Sequence, residues 1–195
     1  MPMRHDFSEN LMSLQSHILL EEAKHPSASG DFTWIVSAIS LAAKSIANHV
    51  RRARLSGAIG KFGDTNVQGE EQQKLDVIAN EALIRSLGSR PGVAVVASEE
   101  DENPIILSND TSGERPYVVL FDPLDGSSNL DVCGSVGTIF SILLHDRRAA
   151  QVEESALQPG LRQVGAGYVL YGPSTVLVLS TGTGVQMFVL DPAIG

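Results

Sequence analysis

The chain has 195 residues, 43% of them hydrophobic, so it is long enough to bury one substantial core. Its net charge of -9 argues against a nucleic-acid partner, because phosphate backbones attract basic surfaces. The sequence lacks the run of about 18 apolar residues that a membrane-spanning helix requires, and its first residues lack an apolar signal core.

Two helices are predicted in the first quarter of the chain. Leu11, Leu14 and Ile18 mark a short amphipathic helix that ends before Pro26. A longer helix follows, capped by Asp31 or Thr33 and ending near Arg51. One apolar face runs along it, formed by Ile35, Ile39, Ala42, Ile46 and Val50. We interpret Trp34 as a core residue and the cluster of Arg51, Arg52 and Arg54 as the solvated end of this helix.

Residues 54–73 contain several glycines and predict a mobile loop. The following helix, from Gln72 to Leu87, buries a stripe that includes Leu75 and Ala79. Asp76 lies beside this stripe. The helical pattern alone leaves two interpretations open, a carboxylate turned toward the ends of the strands or a solvated surface group.

Two apolar runs predict buried strands that each end on acidic residues. Residues 93–97 are followed by Ser98, Glu99 and Glu100, and residues 117–121 by Asp122-Pro123-Leu124-Asp125. Ligands collect at the carboxyl ends of such strands, so we expect Glu99, Glu100, Asp122 and Asp125 to surround a common point. Carboxylates this crowded repel unless cations neutralise them, which predicts a Mg²⁺ or Mn²⁺ site. The alternatives are an Asp-Pro turn that caps a helix and a solvated acidic loop at residues 98–102, which remains the interpretation for Asp101 and Glu102.

Small residues continue the second acidic motif. Gly126 lets a backbone N–H approach a ligand closely, and Ser127, Ser128 and Asn129 offer further donors. This combination favours a phosphate group.

The second half of the chain predicts strands and little helix. Strands are expected near residues 138–144 and 164–171, and a hairpin pairs 175–180 with 185–190. Long helices before a largely antiparallel sheet indicate an α+β fold, a layered α/β sandwich. Cys133, the single cysteine, excludes an intrachain disulfide and fits a reducing cytoplasm; we interpret it as a small buried packing residue.

These motifs together resemble the fructose-1,6-bisphosphatase family. The resemblance is carried by residues 69–80, 98–100, 121–129 and 134–142, and it extends to 29–33 and 190–195, so it spans nearly the whole chain. It implies a sugar phosphatase fold of which residues 1–195 are the N-terminal metal-binding and regulatory domain, with the C-terminal sugar-binding domain absent. The loop at 54–73 corresponds to the family's dynamic active-site loop.

The resemblance also implies roles for individual residues. The family's metal ligands fall on Glu99, Asp122, Asp125 and the Leu124 carbonyl, with two or more Mg²⁺ ions, or Mn²⁺, per site. Asp76 and Glu100 match the pair that activates the attacking water. Asp125, Gly126, Ser127 and Ser128 match the turn that binds the substrate's 1-phosphate. Glu70 aligns with an auxiliary metal ligand that is Asp in the family.

An AMP effector site is implied as well. The family holds the AMP phosphate with the segment that corresponds to Ser29, Gly30, Asp31, Phe32 and Thr33, and Tyr117 matches a further AMP contact. Pro116 and Leu144 replace two cations of the family at this site. A plain helix cap and a working AMP site therefore both remain open.

Two functional classes follow from the sequence. The first is a cytoplasmic, homotetrameric hydrolase of gluconeogenesis or the Calvin cycle that removes the 1-phosphate of fructose 1,6-bisphosphate, with this chain alone inactive or nearly so. Inositol monophosphatase activity and dual fructose and sedoheptulose bisphosphatase activity are the alternative substrate assignments. The second class is a non-catalytic domain for effector binding and assembly.

Overall fold

The computed structural model describes residues 12–24, 30–65, 71–90, 92–107, 117–146, 148–149 and 151–194. The α-helices are α1 (Leu14–Glu22), α2 (Asp31–Ser56) and α3 (Lys74–Gly88). The strands are β1 (Lys61–Thr65), β2 (Glu71–Gln73), β3 (Val93–Ser98), β4 (Ile105–Ile106), β5 (Tyr117–Asp125), β6 (Val136–Leu144), β7 (Gln163–Tyr171), β8 (Thr175–Ser180) and β9 (Val185–Val189). Short 3₁₀ helices span Ser127–Val132, Val152–Ala156 and Gly160–Arg162.

Seven strands form one mixed sheet in the order β4-β3-β5-β6-β7-β8-β9. The β3–β5 pair is parallel and the other pairs are antiparallel. The strands β1 and β2 form a separate antiparallel pair. Helices packed on this largely antiparallel sheet confirm the predicted α+β fold.

The core lies between the helices and one face of the sheet. Alternation along each strand sends every second side chain to this face. The sheet contributes Phe121, Phe140, Ile142 and Val169, which belong to one buried cluster with the apolar stripes of α2 and α3. Burying each such large side chain stabilises the fold by roughly 1.5 to 3 kcal/mol. This packing fixes α3, and with it Asp76, against the sheet.

The opposite face of the sheet is covered only in part by described residues. At the β3–β5 end, Ala156 of a 3₁₀ helix packs against Val95 and Val118. Farther along, the strand registers align an apolar row across four strands: Ile139, Tyr168, Val178 and Met187. Ile139 is 48% exposed, Tyr168 46% and Met187 68%, so this part of the face is open.

The second helix differs from its prediction at both ends. Its N-cap is Gly30 in the left-handed conformation (φ 83°), without a side-chain cap, and Asp31 is already helical. The helix continues past Arg51 to Ser56 because Ala53 still packs in the core, and Gly57 (φ 69°) then ends it.

The prediction for Trp34 was wrong, whereas Arg51, Arg52 and Arg54 are exposed near the end of α2, as predicted. Trp34 is 51% exposed and lies under the Arg90 guanidinium, 5.5 Å from the ring centroid, instead of in the core. Arg51 donates to the Thr175 hydroxyl (3.1 Å) and Arg54 to the Asp131 carbonyl (2.7 Å), so these arginines tie α2 to the sheet side.

The region after α2 is also more regular than predicted. Residues 54–56 are helical, and β1 and β2 form a two-stranded ladder within the expected loop. Residues 66–70, including Glu70, lie outside the described residues. Cys133 is exposed, not buried as predicted, and occupies a left-handed turn position (φ 58°) after the 3₁₀ helix. None of the described helices has the length and apolar character needed to cross a membrane.

Candidate metal centre and phosphate turn

The two acidic motifs meet because β3 and β5 run parallel. Ser98 pairs with Phe121 in register, and the Glu99 N–H donates to the Phe121 carbonyl at 3.0 Å. Glu99 therefore leaves β3 at the level where Asp122 follows Phe121 on β5. Glu99 and Asp122 both line an open groove of about 790 Å³ on the uncovered face of the sheet.

Asp122 and Asp125 flank a β-bulge. Asp122 pairs with Ile139 and Asp125 with Gly137, so a step of three residues on β5 opposes a step of two on β6. Pro123 fits this irregularity because it has no N–H to donate to a ladder. Within the bulge the Leu124 N–H donates to Asp122 Oδ1 at 3.0 Å, which orients that carboxylate.

Asp76 connects helix α3 to the phosphate turn. It is 3% exposed, and its Oδ2 accepts from the Gln73 N–H (2.6 Å) and from the Ser127 hydroxyl (3.2 Å). Its Oδ1 is buried and has no hydrogen-bond partner among the described residues. The carboxylate is thus turned inward, toward the ends of the strands, and is not a solvated surface group.

The pKa of Asp76 indicates which charged groups lie near it. The pKa of Asp76 is raised to about 6, chiefly by burial and in smaller part by the negative charges of Glu100 and Asp122, which together outweigh the hydrogen bonds from Gln73 and Ser127. These charges act on Asp76 because the three groups lie close together.

The donor set fits a hard divalent cation. Carboxylate and carbonyl oxygens are the ligands that Mg²⁺ prefers, and the unpartnered Asp76 Oδ1 leaves a buried oxygen that could accept a hydrogen bond from a water molecule beside the cation. Among the described residues, however, no three acidic, histidine or cysteine side chains are close enough to form a ready metal cluster, so the expected convergence of Glu99, Glu100, Asp122 and Asp125 on a common point is not observed. Asp125 is exposed, whereas Glu99, Glu100 and Asp122 are half-buried. The assignment of individual ligands stays a prediction.

The turn after β5 is built on Gly126. Its φ of 75° favours glycine, and a Cβ there would lie 3.1 Å from Asn129 Nδ2. The Asn129 N–H donates to the Gly126 carbonyl (2.9 Å), and Asn129 Nδ2 donates to the Ser135 carbonyl (3.4 Å). Asp125, Gly126 and Asn129 line a second cavity of about 340 Å³, and Ser128 is exposed beside it.

One acidic residue has a role that the sequence did not indicate. Asp101, predicted as part of a solvated loop, is half-buried, and both its carboxylate oxygens accept from Asn80 Nδ2 at 3.2 Å. This contact ties α3 to the segment after β3 and so supports Asp76 and Glu100. Glu102 is exposed, as expected.

The predicted effector segment lies among carboxylates. Thr33 donates its hydroxyl to Glu22 Oε2 at 2.5 Å. Burial raises the pKa of Tyr117, and Asp31 and Glu22 raise it further, which places both acids near its phenol. Phe32 packs edge-on against Tyr117 (6.1 Å between ring centroids). Ser29 and Pro116 lie outside the described residues, and Leu144 is the exposed partner of Tyr117 on β6.

Comparison with known proteins identifies relatives along almost the whole chain. Residues 12–195 match the model of the family described as "Fructose-1-6-bisphosphatase, N-terminal domain". The cytosolic fructose-1,6-bisphosphatase of Brassica napus is 45% identical over 190 residues, which cover 97% of this chain and 56% of the relative. The class 1 enzyme of Chloroherpeton thalassium is 47% identical over 188 residues, covering 95% of this chain and 53% of the relative.

Solved structures of fructose-1,6-bisphosphatases are similar to this chain in fold. The holo form of Leishmania major fructose-1,6-bisphosphatase superposes with a TM-score of 0.83 at 40% identity, covering 93% of this chain and 56% of the other. Its T-state gives a TM-score of 0.74 at 38% identity, covering 94% of this chain and 55% of the other. The chain therefore spans about half the length of the relatives that it matches.

Proposed function

The chain belongs to the fructose-1,6-bisphosphatase family, and we propose that it is the N-terminal metal-binding and regulatory domain of a cytoplasmic phosphatase. The complete enzyme hydrolyses the 1-phosphate of fructose 1,6-bisphosphate to fructose 6-phosphate and phosphate, a reaction of gluconeogenesis. The observation that carries this proposal is Asp76. It is buried, and this burial together with the charges of Glu100 and Asp122 raises its pKa. It also accepts a hydrogen bond from Ser127 of the phosphate turn.

In this proposal each polar group has one task. Glu99, Asp122, Asp125 and the Leu124 carbonyl hold two or more divalent cations, Mg²⁺ or Mn²⁺. Bound there, such cations polarise the phosphoryl group and stabilise the leaving oxygen.

Asp76 and Glu100 accept the proton of the attacking water. A pKa of about 6 suits a general base near neutral pH, because the group is mostly ionised yet still basic. The Gly126–Ser127 turn orients the 1-phosphate with its backbone N–H groups, and the second cavity beside Asp125 receives the adjoining sugar.

We further propose that this chain alone turns over little or no substrate. The relatives contain a portion, somewhat under half of their length, that has no counterpart here. The uncovered sheet face, with Glu99 and Asp122 in its groove, is the surface on which such a portion would lie. An isolated domain of this kind acts only in metal binding, effector binding and assembly into the homotetramer.

Phosphate release from the complete enzyme tests the assignment. With Mg²⁺, we expect turnover of fructose 1,6-bisphosphate well above that of inositol monophosphate or sedoheptulose 1,7-bisphosphate. Asp122→Ala should lose both metal binding and turnover. Asp76→Ala should keep metal and substrate binding and lose roughly 10² to 10⁴ in rate, the usual contribution of a general base.

Two outcomes would overturn parts of this assignment. Normal turnover by Asp76→Ala would show that another group is the base. Faster hydrolysis of inositol monophosphate or sedoheptulose bisphosphate would reassign the substrate. Glu102→Gln, which changes an exposed carboxylate near the site, is the matched control and should leave kcat and KM unchanged.

A further inference from the structure

Two buried hydroxyl groups lie directly behind the bulge that separates Asp122 from Asp125. The Thr138 hydroxyl donates to the Pro123 carbonyl at 2.8 Å. The Tyr171 hydroxyl lies 2.8 Å from the Thr138 oxygen. Thr138 is 1% exposed and Tyr171 3%, so neither group exchanges these partners for solvent.

The direction of the hydrogen bonds is determined by counting protons. Each hydroxyl has a single hydrogen to donate. Thr138 donates its hydrogen to the Pro123 carbonyl, so the Tyr171 phenol must be the donor to Thr138. Burial raises the pKa of Tyr171, which keeps this phenol protonated at physiological pH. The Tyr171 hydroxyl therefore donates to Thr138, and Thr138 donates to the Pro123 carbonyl in the bulge.

That backbone carbonyl belongs to the same peptide unit as the Leu124 N–H. A peptide unit is planar, so its C=O and N–H turn together. At one edge of this unit the Pro123 carbonyl accepts from Thr138, and at the opposite edge the Leu124 N–H donates to Asp122 Oδ1 at 3.0 Å. Rotation of this one peptide would break both hydrogen bonds.

The bulge makes such a support necessary. Opposite Thr138, β5 has one residue more than β6, so the ladder between Asp122 and Asp125 is interrupted. A backbone carbonyl buried there without a partner would destabilise the fold. The side chain of Thr138 supplies the hydrogen bond that the interrupted ladder does not.

We propose that Thr138 and Tyr171 are positioning residues that fix the Pro123–Leu124 peptide and thereby the orientation of the Asp122 carboxylate. The inference rests on the proposed function in so far as the Asp122 carboxylate is a metal ligand. It extends that function to two side chains that touch neither metal nor substrate. Partners of this kind typically contribute 10- to 100-fold to metal affinity.

The experiment compares four variants of the 195-residue chain. Thr138→Val and Tyr171→Phe each remove one hydroxyl at nearly constant shape, and Thr138→Ser retains the hydroxyl. Thr175→Val is the matched control, because Thr175 is also a buried threonine of this sheet but its hydroxyl accepts from Arg51. Calorimetric titration with Mn²⁺ gives the affinity, and hydrogen exchange of the Leu124 amide reports the peptide without metal.

We expect about a tenfold loss of Mn²⁺ affinity in Thr138→Val, a smaller loss in Tyr171→Phe, and affinity within about twofold of wild type in Thr138→Ser and Thr175→Val. Exchange at Leu124 should accelerate in Thr138→Val and Tyr171→Phe only. Unchanged Mn²⁺ affinity in both of these variants would overturn the inference and leave the proposed function standing. Absence of Mn²⁺ binding to the wild type would instead overturn the proposed metal site. In that case unchanged exchange at Leu124 would overturn the positioning role as well.

Discussion

Asp76 shows how one residue links the fold to the proposed chemistry. Its Oδ2 accepts hydrogen bonds from the Gln73 N–H at the start of α3 and from the Ser127 hydroxyl. Its Oδ1 is buried without a partner among the described residues. An ionised carboxylate in that position is destabilising, because burial and the nearby charges of Glu100 and Asp122 both favour the protonated form. Asp76, the residue best placed as a base, therefore lowers the stability of the metal-free fold when it is ionised.

The destabilisation by ionised Asp76 predicts an unusual dependence of the free energy of unfolding on pH. The pKa of Asp76 is about 6 in the folded protein against an ordinary value of 3.8. Between these values the folded state keeps a proton that the unfolded chain has lost, so the free energy of unfolding falls as pH rises through this window. Asp76→Asn retains an oxygen for Gln73 and Ser127 but cannot ionise. In EDTA it should be more stable than wild type by roughly 1 to 3 kcal/mol above pH 7.

Urea unfolding of both proteins at several pH values measures this difference. The gain from Asp76→Asn should shrink to near zero at pH values below the ordinary pKa of 3.8. Glu102→Gln, at an exposed carboxylate, serves as the control and should show no comparable trend. A wild type that is the more stable protein at neutral pH would contradict the assignment of an uncompensated charge.

Among the secondary-structure elements, the contact between α1 and α2 bears on regulation. Glu22 at the end of α1 accepts from Thr33 in the first turn of α2, and its Oε1 lies 3.4 Å from where a Cβ on Gly30 would be. A carboxylate thus lies beside the helix N-terminus where the resemblance predicts the AMP phosphate. Two negative groups at one site repel each other.

We therefore predict that AMP binds this chain weakly. Loss of the two cations at Pro116 and Leu144 removes contacts worth roughly 1.5 to 3 kcal/mol each, and Glu22 adds repulsion. Glu22→Gln should tighten AMP binding about two- to fivefold, the range of a single charge at a helix terminus. Glu21→Gln is the control on the same helix, since Glu21 contacts Lys24 and Thr183 instead.

Calorimetric titration with AMP decides between these outcomes. Low-micromolar binding to the unmodified chain would show that other residues replace the missing cations. Equal AMP affinities of Glu22→Gln and Glu21→Gln would show that the charge of Glu22 does not weaken AMP binding.

The strands of the main sheet were predictable where apolar residues form a continuous run. β3, β5, β6, β7 and β8 occur within about two residues of their predicted limits, or extend beyond them, because their β-branched and aromatic content leaves few alternatives. The two-residue strand β4 was missed because it is too short to show a period. Trp34 was misplaced because its hydrophobicity did not reveal the stacking on Arg90, a contact between residues far apart in the sequence.

The candidate site was predictable to the same extent. The acidic motifs at 98–100 and 122–125 are visible as residue types at the ends of apolar runs, and the parallel β3–β5 pair brings them together. Thr138 and Tyr171 were not predictable, since hydroxyl groups on different strands carry no local signal of a shared partner. The bulge they support appears only in the register between β5 and β6.

At the scale of the whole molecule, the described residues cover one face of the sheet and leave part of the other face open. Helices bury one face of the seven-stranded sheet, while the apolar row from Ile139 to Met187 is exposed on the other. Glu99 and Asp122 lie in the groove of that open face. The proposed metal site is thus at the boundary of the domain, where a further portion of polypeptide would both cover apolar surface and approach the carboxylates.

The most direct test of the account is calorimetric titration of the 195-residue chain with Mg²⁺ and Mn²⁺, beside Asp122→Ala and the control Glu102→Gln. We predict weak binding, with dissociation constants on the order of millimolar, to wild type and Glu102→Gln, and none to Asp122→Ala. At ten times the dissociation constant, bound metal should raise the free energy of unfolding by about 1.4 kcal/mol. Absence of both heat and stabilisation in the wild type at millimolar metal, or binding retained by Asp122→Ala, would contradict the proposed metal centre.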